Sequence, residues 1–352
     1  MPHKIKNIAV IRLSAMGDVA MTVPVILALV KQYTNVNVIV VSRPFYKPFF
    51  KNIPNVTFLS VHTNHRHKGL LGIYRLYKDL KKNQVEVIAD LHNVLRSKMV
   101  RFLFSLSGKR SAFTDKGRKE KNALTSIVNK EFKPLKSMVE RHVDTFKKLG
   151  YTLDLSTPLF LKPLELSEEV KEILGNKNCK WIGIAPFAHY KSKTYPLDLM
   201  KQVIVELSKE KSFKIALFGG GNLEKVALDK MAVGLENVYN FTKVISFKEE
   251  LQLISNLDVM VSMDSGNAHL AAMYGVKTIT LWGATHPYAG FVPYNQLMEN
   301  CLVSDRTKYP LLPTSIYGNK KVVGYEDAMR TISVEKVVFS IQSQLAVSES
   351  CD

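Results

Sequence analysis

Short apolar, β-branched runs punctuate the chain at Ile8–Leu13, Val38–Val41, Thr57–Val61 and Val85–Leu91, and again at Trp181–Ala185, Lys214–Phe218, Asp258–Ser262 and Lys277–Trp282. Runs of roughly four to eight such residues suit strands buried on both faces of a parallel sheet. Helical periodicity fills the intervals. After Pro196, a favourable first helical residue, Leu197, Met200, Val203, Ile204 and Leu207 keep one helical face. No internal repeat appears beyond this alternation, which predicts two doubly wound α/β domains. The boundary is expected between Pro163 and Lys180. There Ser167 can cap a short helix whose first turn carries Glu168 and Glu169, and Gly175-Asn176-Lys177-Asn178 reads as a turn. The domains are therefore placed at 1–165 and 166–352, with a last helical pattern, Val334 to Leu345, that fits against either.

Composition narrows the class. A chain of 352 residues, 46% hydrophobic and 23% charged, is globular and long for a single core. Its three cysteines, Cys179, Cys301 and Cys351, are far apart and form no CxxC pair. That argues against a disulfide framework or zinc site and fits a reducing cytosol. The apolar run Val19 to Val30 follows Asp18, contains Pro24 and falls short of the roughly 20 residues a membrane span requires, so the expectation is a protein neither secreted nor spanning.

Charge changes the picture more. The formal net charge is +18, and residues 1–160 hold 28 Lys+Arg against 10 Asp+Glu, whereas residues 161–352 hold 21 of each. An excess confined to one half points to an anionic partner for it: nucleic acid, an anionic bilayer or a phosphorylated substrate.

Four segments follow predicted strands, where open α/β sheets bind ligands. In Arg12-Leu13-Ser14-Ala15-Met16-Gly17-Asp18, a turn at Gly17 would bring backbone near a ligand, and Asp18 is either a helix-start carboxylate or a working one. In Asp264-Ser265-Gly266-Asn267-Ala268-His269, small residues open a helix whose free amides suit an anion, with Ser265 as cap and His269 as core histidine the plainer alternatives. Asp264 would repel phosphate and suits sugar hydroxyls or loop ordering instead. Lys191 and Lys193, in the loop before Pro196, can each neutralise a diphosphate leaving group. Gly219-Gly220-Gly221 fails the dinucleotide fingerprint, because Glu224 stands in place of its last glycine; that glutamate can accept hydrogen bonds from a ribose. The chain has no phosphate-loop, HExxH, GxSxG or Asp-x-Asp motif, so no metal or cofactor is expected, and lysine with a helix N-terminus must stabilise any leaving group.

Together these segments resemble the glycosyltransferase family that contains the bacterial lipopolysaccharide heptosyltransferases (family 9). Ser14–Asp18, Lys193-Thr194-Tyr195-Pro196 and Asp264–Ala271 match its motifs, with weaker matches at Asp90-Leu91-His92, Arg96-Ser97 and Arg141-His142-Val143-Asp144, in the expected order over residues 7–290. The resemblance implies two facing Rossmann-like domains, the GT-B architecture, with the acceptor on the first and the nucleotide-sugar donor on the second. It implies Asp18 as general base, and Ser14, Met16, Gly17 and Arg96 at the acceptor. It further implies Lys193 and Ser265, Gly266, Asn267, Ala268 and His269 on the donor diphosphate, Asp264 on the donor sugar, and Glu224 with Gly219 and Gly220 at the nucleoside. The implied reaction is an inverting, metal-independent transfer, with heptose from ADP-heptose expected, onto a phosphorylated, lipid-linked saccharide at the cytoplasmic face of an anionic membrane. Two departures stand out: His189 occupies a place where relatives often carry a small hydroxyl residue, and the region after Gly290, including Tyr309–Pro313, lacks the cysteine-rich stretch often seen there in relatives.

Other readings are a sugar-nucleotide epimerase or hydrolase on the same plan, a nicotinamide dehydrogenase, disfavoured by the incomplete glycine motif, and a basic nucleic-acid-binding protein. The segment Arg96–Arg110 interleaves cations with Phe102 and Phe104 inside an apolar stripe, which does not look like base-stacking, and nucleic acid is not expected as a partner. The same helix, with Phe45, Tyr46, Phe49 and Phe50, is a candidate peripheral membrane contact.

Overall fold

The computed structural model describes residues 6–346; Cys351 lies outside them. The chain forms two compact units, residues 1–118 with 136–161, and residues 119–135 with 162–352.

The first unit is a five-stranded sheet of β1 (Lys6–Ile11), β2 (Val36–Ser42), β3 (Val56–Ser60), β4 (Val87–Asp90) and β5 (Arg110–Phe113). Its spatial order is β3-β2-β1-β4-β5, with every pair parallel. The strands read as unbroken apolar runs because both faces are covered: Ile8, Ala9, Val10 and Ile11 are all buried. The helices of this unit are α1 (Met16–Ala20), α2 (Val23–Gln32), α3 (Gly69–Lys82) and α4 (Leu95–Ser105). Next in the chain, α5 (Arg118–Leu124) leads out of the first unit and α6 (Met138–Lys148) returns to it. Pro24 sits in the first turn of α2, where its missing N–H costs nothing. Ser137 and Glu140 cap α6 reciprocally, the Glu140 amide donating to Ser137 Oγ at 3.2 Å and the Ser137 amide to Glu140 Oε2 at 2.7 Å.

The second unit adds α7 (Glu168–Leu174), α8 (Leu197–Ser208), α9 (Asn222–Ala232), α10 (Phe247–Ile254), α11 (Gly266–Ala272) and α12 (Val334–Ala346) to six strands. These are β6 (Lys180–Ala185), β7 (Phe213–Leu217), β8 (Val238–Asn240), β9 (Val259–Met263), β10 (Lys277–Trp282) and β11 (Cys301–Val303), ordered β11-β10-β9-β6-β7-β8 and all parallel. Counted from β6, this is the doubly wound 3-2-1-4-5-6 order. As expected, Ser167 caps α7, accepting from the Val170 amide. The last helix, α12, packs within the second unit: Val337, Val338, Ile341 and Leu345 join the core built by α8, β9 and β10.

Residues 119–135 carry α5 out of the first unit and become part of the second. Lys130 Nζ donates to the carbonyls of Leu124, Leu311 and Pro313, at 3.1, 2.8 and 2.8 Å, and the Leu135 amide donates to the Tyr288 carbonyl. Phe132 packs against His286 and Tyr288, with the Arg306 guanidinium over its ring at 3.4 Å. Even without these residues, the first unit holds 24 Lys+Arg against 8 Asp+Glu, so the basic excess remains its own.

The structure alters three expectations. Tyr46, Phe49 and Phe50 are buried beside Phe58, leaving only Phe45 of that aromatic run exposed. The run therefore fastens the 44–50 turn to the core, with only Phe45 left open to a membrane. Gly17 lies inside the first turn of α1, with no turn preceding Asp18. Pro196 flanks α8 on its N-terminal side, and the helix itself begins at Leu197.

Candidate functional site

The doubly wound order reverses direction between β1 and β4 in the first unit and between β6 and β9 in the second. A crevice opens at such a point, beyond the carboxyl ends of the two strands. In the first unit Ile11 pairs with Asp90, so the Arg12–Asp18 loop and the Asp90–His92 loop leave the sheet side by side. In the second unit Ala185 pairs with Ser262, which brings the Lys191–Lys193 loop and the Asp264–His269 segment together. Each unit thus collects its chemistry at its own switch point.

In the first unit, buried Arg12 organises the loop. Its Nε donates to the Ser14 carbonyl at 2.9 Å and its Nη1 to the Leu91 carbonyl at 2.6 Å, while Nη2 lies 2.5 Å from Asp18 Oδ2. The same carboxylate oxygen accepts from the Ala15 amide at 3.2 Å. With its side chain about a quarter exposed, Asp18 is fixed in direction yet open to a ligand. Ser14, Met16 and Gly17 are half-buried around it.

Asp90 is fully buried and braces the opposite loop, accepting from the amides of His92 and Asn93 and from Arg101 Nε. His92 Nδ1 accepts from the Leu13 amide at 3.4 Å, which leaves the proton of the neutral ring on Nε2. Burial, then the nearby cations Arg12, Lys116 and Arg43, push this imidazole down to about 3. Lys116 is lowered from its usual range by burial and by Arg12 and Arg118. Arg12, Arg43, Lys116 and Arg118 therefore set a positive field around Asp18 and His92.

Of the weaker sequence matches, Arg96 Nη1 holds the carbonyl of His67. Arg141 donates to the Lys136 carbonyl and lies where a Cβ on Gly117 would come within 2.4 Å of it; His142 Nδ1 meets Thr114 Oγ1 at 3.0 Å. These last two tie α6 to the loop after β5.

In the second unit, Lys193 Nζ lies 2.8 Å from Asp264 Oδ2, both side chains largely buried. Two glycines permit this arrangement. A Cβ on Gly283 would fall 2.4 Å from the Ser192 carbonyl oxygen, and one on Gly318, at φ +84, would fall 2.5 Å from Lys193 Cδ. Ser192 is held from both directions, its carbonyl accepting from the Ala284 amide and its Oγ donating to the Gly318 carbonyl at 2.6 Å. Lys191 is exposed on the same turn.

Ser265 flanks α11 but its hydroxyl pairs with Ser262 Oγ at 2.9 Å and makes no capping bond to the helix amides. Gly266 and Asn267 are half-buried and Ala268 and His269 buried. Glu224 Oε2 accepts from the Gly220 amide at 2.6 Å, which fixes the glycine turn, and a Cβ on Gly219 would press Thr242 Oγ1 at 3.0 Å.

Sequence reasoning singled out Asp18, Lys193, Asp264 and Glu224 as separate residues. It missed Arg12 as the partner of Asp18, the Lys193–Asp264 pairing, and the surrounding Arg43, Lys116 and Arg118. The one available signal was the conjunction of Arg12 and Asp18 six residues apart across a strand end. Among the described residues, no three His, Cys, Asp or Glu side chains cluster as metal ligands. A cavity of about 750 Å³ in the second unit lies between residues 122–128 and 311–322. Volume alone does not make it the site, because the switch-point chemistry converges elsewhere.

Comparison with known proteins bears on family and fold. The profile of Glycosyltransferase family 9 (heptosyltransferase) matches residues 73–333. A "Lipooligosaccharide heptosyltransferase 2" of Haemophilus influenzae is 27% identical over 300 residues, covering 80% of this chain and 84% of that protein. Among solved structures, a glycosyl transferase family 9 protein from Veillonella parvula superposes with a TM-score of 0.75 at 18% identity, covering 98% of this chain and 99% of the other. An "ADP-heptose lps heptosyltransferase II" of E. coli gives 0.67 at 18% identity, covering 97% and 99%. These two likenesses show the two-domain GT-B fold.

Proposed function

The chain belongs to glycosyltransferase family 9, and from that premise we propose that it transfers heptose from ADP-heptose, with inversion and without a metal, onto a phosphorylated lipid-linked saccharide of the lipopolysaccharide inner core. The family makes it a transferase acting on nucleotide-sugar donors; donor, acceptor, stereochemistry and residue roles are our reading. The observation that carries it is Asp18: a carboxylate at a switch point, aimed by a buried arginine and ringed by cations.

In this reading the first unit binds the acceptor and the second the donor. Asp18 takes the proton of the acceptor hydroxyl as that oxygen bonds to the anomeric carbon. The bond from that carbon to the diphosphate breaks, and its electron pair leaves with the nucleoside diphosphate. One displacement inverts the centre. Lys193 and the backbone of Ser265, Gly266, Asn267, Ala268 and His269 stabilise the departing charge. Asp264 binds donor sugar hydroxyls, and Glu224, with Gly219 and Gly220, the nucleoside. Ser14, Met16, Gly17 and Arg96 contribute to the acceptor side, whose positive field suits a phosphorylated saccharide. No described helix is long and apolar enough to cross a membrane; we place the enzyme peripherally at the cytoplasmic face, where its acceptor is anchored, with no nucleic-acid partner.

The test is thermal-shift binding of ADP, UDP, GDP, CMP and NAD, followed by turnover with the matching sugar donor in the presence of EDTA. Stabilisation by ADP above all others and EDTA-insensitive, acceptor-dependent ADP release are expected. Stabilisation by NAD alone, or release that needs a divalent cation, would overturn the reading.

A further inference from the structure

Helices α3 and α4 lie side by side on one face of the first sheet, burying Ile73, Leu76, Leu80, Val100 and Phe104 against it. Tyr77 joins them, its ring edge-on to Phe104 at 5.2 Å and its hydroxyl 2.8 Å from Ser107 Oγ. Their outward sides are unusual for a helix surface. On α3, Leu70, Leu71 and Tyr74 are 70, 74 and 47% exposed. On and just after α4, Leu95, Phe102 and Leu106 are 74, 63 and 70% exposed. Scattered exposed leucines need no explanation, but two neighbouring helices each presenting a large apolar stripe do.

The charges around the stripes are one-sided. Residues 66–110 contain eleven Lys+Arg and three acids. Asp79 is engaged by Arg66 at 2.6 Å and by His67 at 3.0 Å, and Asp90 is fully buried, so neither offsets the outward cations. Lys78 lies over the Tyr74 ring at 4.9 Å and Lys98 is exposed one turn from Phe102. Long cationic stems beside large apolar side chains suit an acidic interface, where the apolar groups enter the acyl boundary and the ammonium groups meet lipid phosphates.

We infer that the outward face of α3 and α4 is the membrane-docking surface of this protein, with an anionic lipid bilayer as its occupant. This rests on the reading of a lipid-linked acceptor and adds which surface meets the lipid. It replaces the aromatic run at 45–50, whose rings are mostly buried, with α3, which the sequence had not singled out. An acidic protein partner would explain the cations but leaves the adjoining leucines without a use; pure lipid vesicles separate the two.

The experiment is flotation of the full chain with phosphatidylglycerol–phosphatidylethanolamine vesicles and with phosphatidylcholine vesicles, alongside turnover on a deacylated, water-soluble acceptor. The wild type is expected to float with the anionic vesicles and to detach as salt rises. A Leu70→Ser, Leu71→Ser, Phe102→Ser variant should lose partitioning by about tenfold or more, and a Lys78→Glu, Lys98→Glu variant should lose the salt-sensitive part. Both should keep the wild-type thermal midpoint and turnover on the soluble acceptor. Flotation of the variants like the wild type, or no flotation of the wild type with pure lipid, overturns the inference. Because flotation needs no transfer, absence of turnover on the soluble acceptor instead strikes the proposed function and leaves this result readable by itself.

Discussion

Lys193 and Asp264 form an ion pair of 2.8 Å at the switch point of the second sheet, one residue from each of the two motifs that meet there. The pair explains how a carboxylate can stand beside a proposed phosphate site: it neutralises the lysine. On the proposed function, a diphosphate arriving there would compete with Asp264 for Lys193 and leave the carboxylate for sugar hydroxyls.

That relationship separates binding from stability. Lys193→Ala leaves the largely buried Asp264 without its ion-pair partner and should destabilise the unit by about 3 kcal/mol. Lys193→Met combined with Asp264→Leu removes both charges and should recover most of that loss. Neither variant should recover ADP binding, measured by calorimetry, whereas adenosine binding should change little. Equal weakening of ADP and adenosine would make Lys193 a scaffold residue only.

Asp18 gives the second prediction. Asp18→Asn keeps the shape of the side chain and its place beside Arg12, but its amide cannot take the acceptor proton. Turnover should fall by roughly 10²–10⁴ while donor affinity stays within about twofold. A variant turning over near the wild-type rate would end the assignment of Asp18 as base.

The βα alternation was legible because buried parallel strands are continuous apolar runs, and β10 appears over its predicted span, Lys277–Trp282. The strands not seen beforehand, β5, β8 and β11, are three- or four-residue pieces such as Arg110–Phe113 and Val238–Asn240 that sit at or near a sheet edge. Short strands of that kind carry too few apolar residues to stand out. The attachment of residues 119–135 to the second unit was invisible for another reason. It depends on Lys130 reaching the carbonyls of Leu311 and Pro313 and on Phe132 meeting Arg306, contacts between residues more than a hundred positions apart. At the site, chemistry-bearing residues were legible one at a time. Their pairing was not, because no local pattern ties Lys193 to Asp264.

Acid sensitivity supplies a third prediction. In the folded protein His92 is pushed down to about 3 and His286 to about 4, chiefly by burial, whereas an unfolded imidazole titrates near 6.5. Between those values the unfolded chain binds protons that the folded one does not, so each histidine's contribution is complete above about pH 6.5 and is lost as pH falls toward its folded value. The histidines should lower the urea midpoint as pH falls between about pH 6.5 and pH 4.5, offset in part by Glu250, which burial raises to about 7. His92→Gln, which keeps an acceptor for the Leu13 amide, should flatten part of that slope, and His286→Gln another part. Slopes unchanged in both variants would place the acid sensitivity elsewhere.

The lysine loop also depends on missing side chains, which can be tested without touching a charge. Gly283→Ala would drive a methyl group to 2.4 Å from the Ser192 carbonyl oxygen and 2.7 Å from Met329, so the turn carrying Lys193 must shift. Overpacking of this kind costs about 1–3 kcal/mol, and the shift should also weaken ADP binding. Ser246→Ala is the matched control, since it removes the hydroxyl that caps α10 and costs about 1 kcal/mol at a residue outside both switch-point loops. Both variants should lower the thermal midpoint, but only Gly283→Ala should raise the dissociation constant for ADP. If the two variants bind ADP alike at a temperature where both are folded, the position of the Ser192 turn does not govern the donor site.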